Sequence, residues 1–435
     1  MKVHIIGAGL AGAEAAWQVA KQGIPVVLYE MRPKQQTPAH QTGHFAELVC
    51  SNSLKSNSVT NAAGLLKEEL RRLDSLIMTV ADANTVPAGQ ALAVDRDLFA
   101  AEVTAKLHAH PLVTIMNEEV KTLPTPSDEP WIVATGPLTS PGLASALADI
   151  TGKEYLYFFD AAAPIIALDS LNLDIIFRAS RYDKGDADYL NCPMDKDQYF
   201  SFLRALQSAE QHPLHDFEDK KFFEGCMPVE ELAVRGDLTL AHGPLKPVGL
   251  SDPRHPEKHF AVVQLRQDNV GGDLYNMVGF QTNLRFGEQE RVFRLIPGME
   301  KAQFARYGVM HRNLFLNSPQ LLLETLQMKT RHDLFFAGQI TGVEGYIESA
   351  ATGWLAGLNA ARLCLGKTLL TMPRETMLGA LTYYVSHADT KHFQPMNAVF
   401  GIMPPLENGK IPKKVKQQYY ADRALASLSD WQQTY

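Results

Sequence analysis

Cysteine is scarce in this sequence: four in 435 residues, at Cys50, Cys192, Cys226 and Cys364. None forms a C-x-x-C pair, and no His/Cys spacing matches a zinc site. Neither a disulfide framework nor a metal centre is therefore expected. The chain also lacks any uncharged apolar run of about 18 residues, the length a membrane-spanning helix needs. Lys2 is followed by a short apolar stretch, then glycines, Glu14 and Lys21, which reads as strand, loop and helix and not as an export signal. Free thiols without such a signal point to the cytoplasm. There is no basic excess: the formal net charge is −7. Global charge thus argues mildly against a nucleic-acid binder and leaves room only for a local basic face. Arg71-Arg72 and the run Lys410, Lys413, Lys414 and Lys416 are candidates for one, though solvated surface charge is the better reading of each cluster taken alone. Repeats and low-complexity tracts are absent, and nothing points to a stable protein partner.

What remains is an ordinary globular composition, 46% apolar and 20% charged, in a chain long enough for two units. Residues 2–6 read as an apolar strand, Gly7-Ala8-Gly9-Leu10-Ala11-Gly12 as a glycine loop, residues 13–21 as an alanine-rich helix and residues 24–29 as a second strand. Gly7 permits the tight turn, Gly9 lets a pyrophosphate approach the backbone, and Gly12 lets helix and strand pack closely. The phosphates then lie at a helix N-terminus, where free N–H groups and the helix dipole favour anions. Glu30, 18 residues after Gly12, is placed to accept a ribose hydroxyl. The unit predicts a bound dinucleotide without saying which one.

Two later segments narrow that choice. Residues 131–134 form a strand ending in Ala134-Thr135-Gly136-Pro137. Residues 334–337 form another, ending in Gly338-Gln339, before a glycine-rich loop and a helix from about Glu348. This order resembles the flavoproteins related to glutathione reductase, which implies FAD. The expected fold is α/β, with a discontinuous FAD-binding Rossmann domain at residues 1–150 and 300–435. An inserted α+β substrate domain is expected at residues 151–299. Strands are predicted there at 155–160, 165–168, 261–266 and 274–279, with a helix at 201–207.

Cys50 precedes a polar, loop-forming run, and Cys226 lies between Gly225 and Pro228, so both sit where a thiolate could react. On local sequence alone a structural thiol fits each at least as well. Cys364, in an apolar helix, reads as a core residue. Gly342 and Gly345, after the late strand, permit backbone approach to a flavin ring. Residues 393–398 suit a planar ligand edge or an ordinary turn. His311 could stack on a ring or hydrogen-bond within a core.

Taken together these segments resemble the bacterial folate- and FAD-dependent tRNA (uracil-5-)-methyltransferases over nearly the whole chain. The matching stretches are residues 30–33 (with Arg32), 45–53 around Cys50, 86–89, 222–228 around Cys226, 263–269, 291–298, 307–313, 335–345 and 393–397. The resemblance implies transfer of one carbon from 5,10-methylenetetrahydrofolate to C5 of a T-loop uridine, position 54, in the T-arm of tRNA. FAD would serve as carrier and reductant, and NADH or NADPH as electron source. It implies that Cys226 adds to uracil C6 and Cys50 removes the C5 proton. It also places folate near Gly342, Gly345, His311, Asn313 and Asn397. Three other readings stay open: the same chemistry on 23S ribosomal RNA, an FAD-dependent NAD(P)H oxidoreductase for a small molecule, and an RNA-binding factor in which FAD is only structural.

Overall fold

The protein is described by a computed structural model covering residues 1–151, 156–183, 186–213, 227–252, 254–255, 258–406 and 412–434. One sheet has six strands in the order Gln327–Met328, Arg331–Phe336, Trp131–Val133, Val3–Ile6, Val26–Tyr29 and Val113–Met116. All neighbours in it run parallel except the first pair. Val3–Ile6 is buried throughout, as a strand covered on both faces must be. The α/β expectation holds, and the first and last thirds of the chain build one sheet and one core. Four of the strands overlap the apolar runs at 2–6, 24–29, 131–134 and 334–337, while Val113–Met116 and Gln327–Met328 are not expected from the sequence. The late helix begins at Tyr346, two residues before the expected Glu348.

That helix, Tyr346–Cys364, packs directly on the helix Leu10–Lys21. The approach is possible because small residues face each other. A Cβ on Gly353 would lie 2.2 Å from the Ala11 carbonyl oxygen, and one on Gly357 would lie 2.6 Å from that of Ala15. Cys364 is buried at the helix end, as expected of a core thiol.

A second, antiparallel sheet orders Phe177–Arg178, Tyr189–Met194, Ala261–Gln267, Leu274–Met277, Ile165–Ala167 and Phe304–Arg306. The helices Lys196–Gln207 and Phe286–Phe293 contribute to its separate core, which includes Cys192, Tyr199, Phe202 and Phe293. The helix expected at 201–207 starts earlier because Asp195 and Gln198 form a capping box. Between the two cores Leu156–Ala161 pairs antiparallel with Met310–Phe315. Strands after residue 300 therefore still pair with strands from before it, and the return to the first core comes at Phe315.

Two buried glutamates organise the first core. Glu14 accepts from the Ser75 hydroxyl and from the N–H groups of Leu76 and Ile77, at the start of the helix Leu76–Ala83. Glu69 accepts from the N–H groups of Met377 and Leu378, at the start of the helix Met377–His387. Each carboxylate meets the positive end of a helix dipole. Burial nevertheless outweighs those hydrogen bonds and pushes the Glu69 carboxyl up to about 7.

Two outcomes follow from this packing. Gly353→Ala is expected to destabilise the chain by about 1–3 kcal/mol through overpacking against Ala11, seen as a lowered melting temperature. Glu69 binds its proton more tightly folded than unfolded, so its contribution is complete below an ordinary carboxyl pKa and lost as pH rises through about 7. Melting scans across that window should show wild type losing stability relative to Glu69→Gln, and parallel curves would contradict the assignment.

Candidate active site

The first sheet opens at its carboxyl edge into a cleft of about 1020 Å³, partly open to solvent. Gly7, Gly9, Leu10 and Ala11 form part of its wall, with Glu30 and Arg32, Gly136, and Gly338 and Gln339. Gly7 has φ +96°, and a Cβ there would meet the Ala134 carbonyl oxygen at 2.7 Å. A Cβ on Gly12 would strike the Gly7 carbonyl oxygen at 1.8 Å. Beside Gly9 nothing lies within 4 Å of such a carbon, so the space a phosphate needs is open. No side chain caps the helix that begins after Gly9 or the one that begins after Gly345. The N-terminus after Gly9 lines the cleft, and with the unfilled space there it fits the pyrophosphate of FAD.

Glu30, expected to accept a ribose hydroxyl, is engaged within the protein through both carboxylate oxygens. Its Oε2 accepts from the Ala8 N–H at 2.9 Å, and its Oε1 accepts from the Arg32 N–H and Nε, both at 3.0 Å. Arg32 Nη1 continues to Glu47 Oε2 at 3.3 Å. Burial raises the Glu30 carboxyl, but the Arg32 guanidinium and the two backbone donors outweigh it and hold the group below its ordinary value. Glu47 in turn accepts from the N–H groups of Gln41 and Thr42. Ala46 N–H donates to the Ala8 carbonyl at 2.9 Å. The glycine loop is thus bonded directly to the segment that leads to Cys50.

Cys50 is half-buried and follows Val49, which lines the cleft. The Tyr346 hydroxyl, also on the cleft wall, accepts from the N–H groups of Cys50 at 2.7 Å and Ser51 at 3.2 Å. Burial first, and the neighbouring Cys50 second, push the Tyr346 phenol well above its ordinary value, so it stays neutral as an acceptor. Cys50 Sγ lies 3.6 Å from the Ala161 carbonyl, at the end of the ribbon that carries Met310 opposite. Arg96 donates to the Leu48 carbonyl at 2.9 Å and to Asp268 at 2.7 Å. Arg266 donates to Ser51 Oγ at 2.6 Å and Asn52 Oδ1 at 3.0 Å.

Gly342 and Gly345 are not on the cleft wall. Gly342, at φ +86°, makes room for the Phe393 ring, and Gly345, at φ +121°, for the Glu348 carboxylate. Asn397 joins the Cys50 side of the site through Lys55, whose ammonium reaches Asn397 Oδ1 at 2.6 Å and Glu348 Oε1 at 3.1 Å. Asn313 is buried in the ribbon opposite Phe158. The backbone of His311 pairs with Asp160 in the same ribbon, while its side chain lies outside the described residues. Cys226 lies wholly outside them, as does Lys410. Arg71 and Arg72 are engaged with Asp82 and Glu68 and form no free basic face. Among the described residues no group of three or more His, Cys, Asp or Glu could hold a metal.

Sequence reasoning assigned no role to Tyr346, Arg96, Arg266, Lys55 or Asp268. Only Arg266 left a signal: a cation inside the strand-like run 261–266, which is otherwise apolar apart from Gln264. For Arg32→Met, two buried carboxylates lose their shared partner. The expected result is a loss of about 3–5 kcal/mol in stability, with bound flavin absorbance falling in the same preparation.

The family described as glucose inhibited division protein A matches residues 2–368. Methylenetetrahydrofolate--tRNA-(uracil-5-)-methyltransferase TrmFO of Heliobacterium modesticaldum is 60% identical over 428 residues, covering 98% of this chain and 97% of that protein. The protein of the same name from Anoxybacillus flavithermus is 58% identical over 431 residues, covering 99% of each. The form II crystal structure of Aquifex aeolicus GidA superposes with a TM-score of 0.70 at 15% identity, covering 99% of this chain and 73% of that one. At such identity the likeness establishes the fold alone. This chain belongs to the glucose inhibited division protein A family and, within it, to the group of proteins named methylenetetrahydrofolate--tRNA-(uracil-5-)-methyltransferase TrmFO.

Proposed function

We propose that the chain transfers one carbon from 5,10-methylenetetrahydrofolate to C5 of uridine 54 in the T-arm of tRNA, drawing electrons from NADH or NADPH, in the cytoplasm. The observation that carries this reading is the continuity of the dinucleotide cleft with the Cys50 segment, through Glu47, Val49 and Tyr346. A cofactor in the cleft and the Cys50 thiol, one residue beyond the wall-lining Val49, would thereby be joined in one site. Bound FAD would supply the reducing equivalents and carry the one-carbon unit. Gly7, Gly9 and Gly12 would seat its pyrophosphate, with Gly136, Gly338 and Gln339 along its length. Of the helices described, none is long and apolar enough to cross a membrane.

The thiols have distinct work. Uracil C5 is a weak nucleophile. A Cys226 thiolate adding at C6 turns the ring into an enolate, and its C5 can then attack the one-carbon group. Cys50 takes the C5 proton as the one-carbon unit's bond to its donor nitrogen breaks, a hydride tracing to NADH or NADPH would then make that unit a methyl group, and the electron pair it leaves on the ring re-forms the C5–C6 double bond as Cys226 departs. Covalent addition divides one hard step into easier ones, and a positioned base contributes about 10²–10⁴-fold. Folate is assigned to Gly342, Gly345, Asn397, Asn313 and His311. The division of labour follows the two cores: residues 1–150 and 300–435 hold the cofactor, and residues 151–299 with the strands that complete their sheet carry the RNA-facing insert. A T-loop base must leave its stack to reach such a site, at a cost of a few kcal/mol.

The deciding assay supplies the flavin-loaded chain with labelled methylenetetrahydrofolate, NADH or NADPH, and unmodified tRNA or ribosomal RNA fragments. Labelled 5-methyluridine at position 54 of tRNA is expected. Product only in ribosomal RNA, or flavin oxidation with no RNA product, would overturn the proposal. Cys226→Ala and Cys50→Ala should each retain FAD and lose methyl transfer by at least about 10²-fold.

A further inference from the structure

The strand Ala261–Gln267 belongs to the inserted sheet, yet its last turn of chain reaches into the cofactor side of the molecule. Arg266 is buried there, at 7% exposure. Its Nε donates to Asn52 Oδ1 and its Nη2 to Ser51 Oγ, the two residues directly after Cys50. Asn52 answers with its amide, donating to the Gln267 carbonyl at 2.9 Å and the Val94 carbonyl at 3.0 Å. Two residues before Cys50, Leu48 is held by Arg96, whose other arm is paired with Asp268. The Cys50 N–H itself is held by Tyr346. Every position bracketing the thiol except Val49 is therefore fixed by a named side chain.

The choice of residue at 266 is informative. Burying a guanidinium carries a desolvation cost of several kcal/mol, and a well-packed apolar side chain often serves stability as well or better. Among the described residues the hydrogen-bond partners of Arg266 are neutral: Ser51, Asn52, Asn276 and Tyr189. The nearby carboxylate, Asp268, is directed to Arg96. A buried cation retained without a carboxylate of its own, and aimed at the two residues after the thiol, is poorly explained as a stability device.

We infer that Arg266 is a positioning residue for the reaction at Cys50: by fixing Ser51 and Asn52 it sets the direction of Sγ, without itself touching RNA, folate or flavin. This rests on the function proposed above. The planar fork of Arg266 makes both contacts at once, a geometry that lysine can match only in part.

The test uses full-length, flavin-loaded protein. Arg266→Met is expected to keep bound flavin and a KM for tRNA within about twofold of wild type, while kcat falls about 10²-fold, the scale on which a misplacement of ~1 Å acts. Arg266→Lys should recover part of kcat. Ser51→Ala removes one acceptor without burying a new group, and should lower kcat about tenfold, the scale of one charged hydrogen bond. It keeps the inference testable if Arg266→Met does not fold. Alkylation of Cys50 by iodoacetamide, followed at its own peptide by mass spectrometry without RNA, should rank the variants in the same order. Unchanged kcat in Arg266→Met and Ser51→Ala would overturn the inference. So would flavin, KM and kcat lost together, or a lysine variant no better than methionine. If wild type alkylates normally but methylates no RNA, the function fails, and the alkylation order still decides whether Arg266 positions the thiol.

Discussion

Arg32 lies between two buried carboxylates, Glu30 and Glu47, and donates to both. Glu30 in turn holds the Ala8 N–H of the glycine loop, and Glu47 holds the backbone at Gln41 and Thr42. None of these groups could be buried alone without a large penalty. Together they form a connected set, two carboxylates sharing one guanidinium, in which backbone N–H groups satisfy carboxylate oxygens as well. The phosphate-binding turn and the chain leading to Cys50 consequently keep a fixed relation.

The rest of the site extends that relation outward. Tyr346 begins the helix that closes on the glycine-loop helix, and its hydroxyl accepts the Cys50 and Ser51 N–H groups. Arg96 ties the same segment to Asp268 and Arg266 ties it to the inserted sheet, so the thiol sits where two separately packed cores meet. Lys55, on the short strand Ser53–Ser56, adds Glu348 and Asn397 to the assembly. A reaction needing cofactor, thiol and a large substrate in one place requires such a junction, and small errors in it are costly.

Much of this was legible before any coordinates. Gly7 and Gly12 announced their geometry because a positive φ at the first and a 1.8 Å clash of any Cβ at the second call for glycine, while Gly9 keeps the approach to the backbone open. The alternation of apolar residues placed three of the six strands of the inserted sheet, at 165–168, 261–266 and 274–279, to within a residue or two, and gave no sign of Phe177–Arg178, Tyr189–Met194 or Phe304–Arg306. Tyr346 and Arg96 could not be read in the same way, since they act on Cys50 across 296 residues for one and reach Leu48 across 48 for the other. Separations of that kind leave no local period. Glu30 was legible in position but not in partner: spacing marks a carboxylate at the strand end, and only the fold shows Arg32 lying across it. The left-handed backbone of Gly342 and Gly345 makes room for Phe393 and Glu348, partners that no local spacing announces.

The ribbon formed by Leu156–Ala161 and Met310–Phe315 has a wider meaning. The chain leaves the first core and returns to it along two strands bonded to each other, so everything between them is a loop already closed at its base. Closing a loop costs entropy that grows only with the logarithm of its length. The intervening segment could therefore be lengthened, shortened or exchanged over the history of the family with little effect on the folding of the core that carries it. A cofactor-binding body of this kind can acquire a different substrate-facing module through a single doorway in its surface.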